Sequence, residues 1–194
     1  MSQSSSNKSF SMTDPPAAVA LFSNPKWSWI WLLARLYIGY TWLSAGIEKL
    51  SVPGWTQTGD SLKGFWTHAV SIPAAPSNPP ITFDWYRAFI QWMLNIQAYT
   101  WFSKLVVAGE LLIGAAMILG VFVGISAFFG AFLNWNFLMA GSTSVNPLML
   151  VITIGLILAW KTAGWWGLDR WLLPLLGAPW KPGKLFEKDK QAAS

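Results

Sequence analysis

Four long apolar stretches run through the chain, and a polar, Gly- and Pro-rich segment separates the first from the other three. From Trp27 to Ile47 the sequence reads WSWIWLLARLYIGYTWLSAGI, broken only by Arg35. At ~1.5 Å per residue such a helix reaches ~30 Å, the thickness of a bilayer's hydrocarbon. The second stretch covers residues 99–120 and holds Lys104 and Glu110, the third covers 121–141 with Asn134 and Asn136 inside it, and the fourth covers 146–160. Helices that are apolar all round belong in lipid or in a large core. The pattern predicts an all-α integral membrane protein, a compact four-transmembrane-helix bundle. Gly114, Ala115, Ala116, Gly120, Gly124, Ser126 and Gly130 line the second and third stretches, where small side chains let an antiparallel pair approach closely.

Residues 48–98 change character. The run PAAPSNPP cannot continue a helix, so this segment is expected to be an outward loop. Inside it SLKGFWTHAV predicts a short surface helix. From Phe83 the polar residues Asp84, Arg87, Gln91 and Asn95 recur every three or four positions, which predicts an amphipathic helix lying at the interface. Residues 1–25, Ser-rich and closed by Pro15-Pro16, are expected to be a flexible cytoplasmic tail without the apolar run of a signal peptide. Residues 26–180 form the expected membrane domain and 181–194 a basic cytoplasmic tail, with WWGLDRWLLPLLGAPWKPGKL lying along the inner surface as an interfacial segment that runs into that tail. Lys8, Lys26, Lys161, Arg170, Lys181, Lys184, Lys188 and Lys190 flank the membrane domain, against Lys49, Lys63 and Arg87 in the outward segment. The positive-inside rule then predicts a multi-pass protein of the cytoplasmic membrane with both termini cytoplasmic.

Composition narrows the chemistry. The chain is 54% hydrophobic and 11% charged, where a soluble domain carries roughly a quarter charged residues. It has no cysteine, which excludes a disulfide relay, an iron–sulfur cluster and any thiolate metal site within this chain. The single histidine, His68, cannot supply paired axial ligands to a membrane haem and reads as a solvated loop residue. No haem, cluster or metal is expected. The net charge of +5 comes mostly from the ends, so it signals orientation in a membrane rather than nucleic-acid binding.

Ionisable residues inside hydrocarbon are costly and mark pairs, cavities or substrates. Counted from the cytoplasmic boundary, Arg35 and Glu110 both fall at roughly 12 to 14 Å and are expected to form an intramembrane ion pair. Removing either partner would strand the other at a cost of roughly 3 to 5 kcal/mol. Lys104 and Asn134 fall higher, at roughly 20 to 22 Å, with Asn136, Asn146, Glu48 and Lys49 close by. Ammonium and amide donors there suit a small oxyanion, a quinone head group or a lipid phosphate. Glu110 and Arg35 are therefore the candidate catalytic residues, and Lys49, Lys104, Asn134 and Asn146 the candidate substrate-binding ones. Structural roles compete with these: a register-fixing Arg35–Glu110 pair, a snorkelling Lys104, asparagines bridging helices, and Asp169 with Arg170 capping and anchoring the interfacial segment.

The segments RLYIGYTWLSAGIEKL, GELLIGAAMILG, FLNWNFLMAGSTSVNP and WWGLDRWLLPLLG together resemble the DoxX/DoxD-like membrane proteins over residues 27 to about 180. The best-understood branch of that family is the large, membrane subunit of thiosulfate:quinone oxidoreductase, a four-span protein that works with a small partner subunit, oxidises two thiosulfates to tetrathionate and passes the electrons to quinone. The resemblance implies the same setting here: a lipid bilayer, membrane quinone as a diffusible substrate, and a small partner subunit or a homo-oligomer. It also implies that Arg35, Lys49, Glu110, Asn134 and Asn146 occupy the family's polar positions. A non-catalytic membrane subunit scaffolding a larger redox complex is the alternative reading, and a small transporter a third.

Overall fold

Apolar runs free of internal proline become the long helices, and Pro16, Pro53 and Pro147 stand in the first turns of helices. The computed structural model describes residues 14–178. The helices are α1 (Pro16–Ser23), α2 (Ser28–Leu50), α3 (Pro53–Thr56), α4 (Asp60–Ala69), α5 (Asp84–Asn95), α6 (Tyr99–Leu119), α7 (Val123–Met139), α8 (Asn146–Leu158), α9 (Trp160–Ala163) and α10 (Asp169–Leu175). No strand occurs among the described residues. The helices α2, α6, α7 and α8 fall where the four apolar stretches are and form a bundle. Around it Leu33, Tyr40, Leu112, Phe128, Phe129 and Val151 all point outward, and an apolar exterior this extensive suits lipid rather than water. By length and composition α6 is long and apolar enough to cross a membrane, while α7 and α8 are shorter apolar helices.

Glycines decide which helices touch. A Cβ on Gly114 of α6 would lie 2.5 Å from the Leu43 backbone nitrogen of α2, and one on Gly39 of α2 would lie 2.9 Å from Ile118 of α6. The antiparallel α2–α6 pair is therefore in near backbone contact, and α7 and α8 make the other close pair. Although α6 and α7 are joined by a short turn, they splay apart. Gly114→Val is expected to cost roughly 1 to 3 kcal/mol by forcing α2 and α6 apart. Gly109→Ala, whose new methyl has 3.6 Å to the nearest Leu133 carbon, is expected to hold or raise stability. Thermal unfolding of the two variants in one detergent separates them.

Two regions depart from the sequence reading. Residues 48–98 are only in part an exposed loop: 71–78 are exposed and non-helical, but α4 and α5 bury Leu62, Trp66, Tyr86, Ile90 and Met93 with Ile81, Ala98, Tyr99 and Ala140 in a second apolar core over one end of the bundle. The helix at 60–69 is thus more than a surface helix, because Leu62, Trp66 and Ala69 recur at helical spacing and share one face. We call this the distal end. The supposed flexible tail contains α1, which Pro16 starts at its first turn. Its Leu21 carbonyl accepts a hydrogen bond from Trp31 Nε1 at 2.8 Å, and Phe22 stacks on Trp31. Together α1, α9 and α10 close the opposite, proximal end. The basic tail 181–194 lies outside the described residues.

Candidate functional site

At the distal end, the last turn of α2 carries Lys49 into the bundle. Its Nζ lies 2.8 and 2.9 Å from the two carboxylate oxygens of Glu110 in the middle of α6. The Glu110 side chain is 1% exposed and that of Lys49 20%, so the pair is sealed on the carboxylate side and reachable on the ammonium side. The Trp55 ring lies 5.3 Å from the same ammonium. Both residues line a pocket of about 230 Å³ together with Thr41, Trp42, Phe137, Ser142 and Asn146. Asn146 directs its amide N–H groups at Ser142, 3.0 Å from that carbonyl oxygen.

The expected Arg35–Glu110 pair does not form. The depth count placed the start of α2 and the end of α6 in one plane, but the two antiparallel helices are offset and α6 overshoots the end of α2. A Cβ on Gly59, in the α3–α4 connection, would lie 2.3 Å from the Tyr99 carbonyl, so the first turn of α6 stands among the distal helices. Glu110, about three turns into α6, is therefore level with Lys49. Arg35 is level with the α6–α7 turn at the proximal end, where its Nη1 fills the space a Cβ on Gly120 or Gly167 would take. Arg35 is 1% exposed and donates from Nη2 to the Trp166 carbonyl at 3.3 Å, while its Nε and Nη1 have no protein partner.

The charge that faces Arg35 is Asp169, at the start of α10, across a gap longer than a direct ion pair. Asp169 accepts from the backbone N–H of Phe122 at 2.6 Å and of Val123 at 2.8 Å, capping α7 from another element. These are the orphan donors of a helix start, and Phe122 itself holds a left-handed φ of 44°. Burial pushes the Asp169 carboxyl up, opposed by the two amides and by Arg35. The sequence reading assigned Asp169 to its own segment; the structure makes it the cap of α7. Arg170 lies over the Trp165 ring at 5.1 Å.

The remaining candidates separate. Lys104 is exposed on α6 and lines none of the pockets described here, so the structure does not bring it to Lys49. Asn134 is fully buried, and neither of its amide atoms has a protein partner; it sits one turn from Phe137 on α7 rather than on the pocket wall. Trp42, unremarked in the sequence, is 3% exposed with an unpartnered Nε1, the signal being an indole in the middle of a span instead of at its end. His68 is exposed on α4, and no cluster of metal-binding side chains occurs among the described residues.

The profile of the DoxX family matches residues 30–136, more than half of the chain and nearly all of the run from α2 to α7. The chain belongs to the DoxX family. No curated protein and no solved structure matches it significantly. Within this DoxX chain the matched region contains Arg35, Lys49, Glu110 and Asn134, whereas Asn146 and Asp169 lie beyond it. The family and the apolar α6 make it a membrane-associated protein. Chemically its distal pocket offers one accessible ammonium, one sealed carboxyl group paired with it and a hydroxyl donor from Ser142, while the Thr41 hydroxyl is spent on the Tyr37 carbonyl at 2.9 Å; an ammonium with a hydroxyl beside it suits an oxyanion.

Proposed function

We propose that α2, α6, α7 and α8 all cross the cytoplasmic membrane, with both termini cytoplasmic and the distal layer outward, and that the chain is the membrane subunit of an oxidoreductase of the thiosulfate:quinone type. The observation that carries the reading is the distal pocket with the Lys49–Glu110 pair in its wall, opening at the outward end of a bundle whose exterior is apolar. Helix α7 rises ~25 Å and α8 with its continuation α9 ~27 Å; a bilayer accommodates such short spans by thinning locally.

In this reading Lys49 draws the thiosulfate dianion in from the outer face. Two thiosulfates each give up one electron and join through a new S–S bond to make tetrathionate. The two electrons and two protons go to a quinone, which leaves as quinol. Glu110 exchanges protons with the site, a role typically worth 10²- to 10⁴-fold in rate. Purified protein in lipid nanodiscs is expected to reduce a short-chain quinone only when thiosulfate is added, and Glu110→Gln to lose at least ~100-fold of that rate while remaining folded. Absence of thiosulfate-dependent reduction, both alone and with any co-purifying small subunit, overturns the redox reading in favour of a scaffold.

A further inference from the structure

The splay of α6 from α7 leaves an apolar groove of about 530 Å³, lined by Leu105, Gly109, Leu112, Ala116, Ile125 and Phe129 among others. Leu105, Leu112, Ile125 and Phe129 are also outward-facing on the bundle's apolar exterior, so the groove is open toward lipid. It continues into a chamber of about 230 Å³ beneath α4 and α5: Phe102, Val106, Phe132 and Leu133 line both. The chamber differs from the groove in two ways. Half of its lining side chains are aromatic, among them Phe65, Trp66 and Tyr86, and it holds a polar group at the α5–α7 contact. There the Tyr86 hydroxyl lies 3.1 Å from Asn136 Oδ1, and Asn136 Nδ2 donates one hydrogen to the Phe132 carbonyl at 2.8 Å. An amide nitrogen carries two, so one N–H remains for a guest. Burial holds the Tyr86 phenol up at about 12, so it stays protonated and keeps the amide oriented.

We infer that the groove and chamber form the binding site of an isoprenoid quinone, the tail lying along α6 and α7 and the ring seated among the aromatic side chains with a carbonyl oxygen on Asn136. The inference rests on the redox reading for the quinone and adds its location. An acyl chain of a phospholipid has no ring to stack and no acceptor for Asn136 at its buried end, and a phosphate head group does not suit apolar walls. A flat ring with carbonyl acceptors and an apolar tail matches both halves of the cavity. Phe137 supports the placement further. It lines this chamber and also the Lys49–Glu110 pocket, so ring and oxyanion would lie against one shared side chain.

The test uses the full chain in nanodiscs and two quinones with the same photoreactive ring, one bearing an isoprenoid tail and one without. Both are expected to label peptides of α5 and α7 and to be competed by unlabelled quinone. Gly109 lines the groove and not the chamber, so Gly109→Leu fills the groove, meeting the chamber only at the shared Leu133, and is expected to weaken the tailed probe at least tenfold while changing the tail-less one less than about twofold. Asn136→Leu is expected to weaken both by roughly three- to tenfold. Leucine is a strong helix former, so both variants keep their helices, and circular dichroism checks this. Labelling confined to α2 and α8 around Lys49, a tailed probe indifferent to Gly109→Leu, or a phospholipid or second copy of the chain that quinone does not displace would each overturn the inference. Thiosulfate-dependent quinone reduction with labelling around Lys49 sinks this placement and spares the redox reading; labelling in the chamber without such reduction does the reverse.

Discussion

Lys49→Met is expected to cost about 3 to 5 kcal/mol, because it leaves the Glu110 carboxylate buried at mid-helix without its counter-charge. The two ends of this pair are unequal. Glu110 is 1% exposed and anchored near the centre of α6, whereas Lys49 is 20% exposed and sits in the last turn of α2. Deprived of its carboxylate in Glu110→Gln, the ammonium can swing outward past Trp55 toward water; deprived of Lys49, the carboxylate has nowhere to go. Glu110→Gln is therefore expected to lose less stability than Lys49→Met. In the double variant Lys49→Met, Glu110→Leu no charge is left stranded, and replacement of a buried pair by apolar groups is often neutral. Thermal unfolding of Lys49→Met, Glu110→Leu and their double as a mutant cycle measures this. Losses that simply add in the double variant would show that the two groups are not coupled. Quinone reduction in the same samples is expected to fail in all three, separating the function of the pair from its part in stability.

The same pair shows where sequence reading succeeds and where it stops. The four long helices were legible because their apolar runs end at prolines, glycines and polar clusters, and α5 because its polar residues keep a helical period. Which charges meet was not legible. Contact depends on the axial offset between α2 and α6, and that offset is set by Gly39, Gly46 and Gly114 meshing with Ile118, Leu111 and Leu43. It is also set by the distal layer, which lets α6 extend beyond α2. A count of residues from a flat membrane boundary contains neither. The distal core was missed for a related reason: Leu62, Trp66, Tyr86 and Ile90 are spread through a Pro-rich segment, and they make a core only when α4 and α5 lie over α6 and α7. Trp42 and Asn134 show the limit from the other side. An apolar helix has a lipid face as well as a core face, so the run alone shows neither that they are buried nor that their polar atoms are left without protein partners.

Asp169→Ala is expected to do damage comparable to that of Lys49→Met at the opposite end of the molecule. It removes the acceptors of the Phe122 and Val123 amides, and a lost helix cap costs roughly 0.5 to 2 kcal/mol. It also removes the charge facing a guanidinium that is 1% exposed and has two donors without protein partners, the kind of uncompensated buried charge worth roughly 3 to 5 kcal/mol. Part of the two costs overlaps, since both act through one carboxylate, so the expected total lies near the larger figure. Asp169→Asn divides them: an amide keeps one acceptor for the helix start but turns an NH₂ toward the other amide and abolishes the charge, so it is expected to recover only a minor share. Adding Arg35→Met to Asp169→Ala removes the stranded cation, and about half or more of the loss is expected to return. Because the Asp169 carboxylate ties α10 to the start of α7, and its loss leaves only backbone contacts such as the Asp169 N–H on the Gly120 carbonyl at 2.8 Å, the single variants are expected to expose the region after α9 to protease before the bundle unfolds. Protection of that region unchanged in Asp169→Ala would mean that the backbone contacts alone hold it, and that Arg35 draws its compensation from elsewhere.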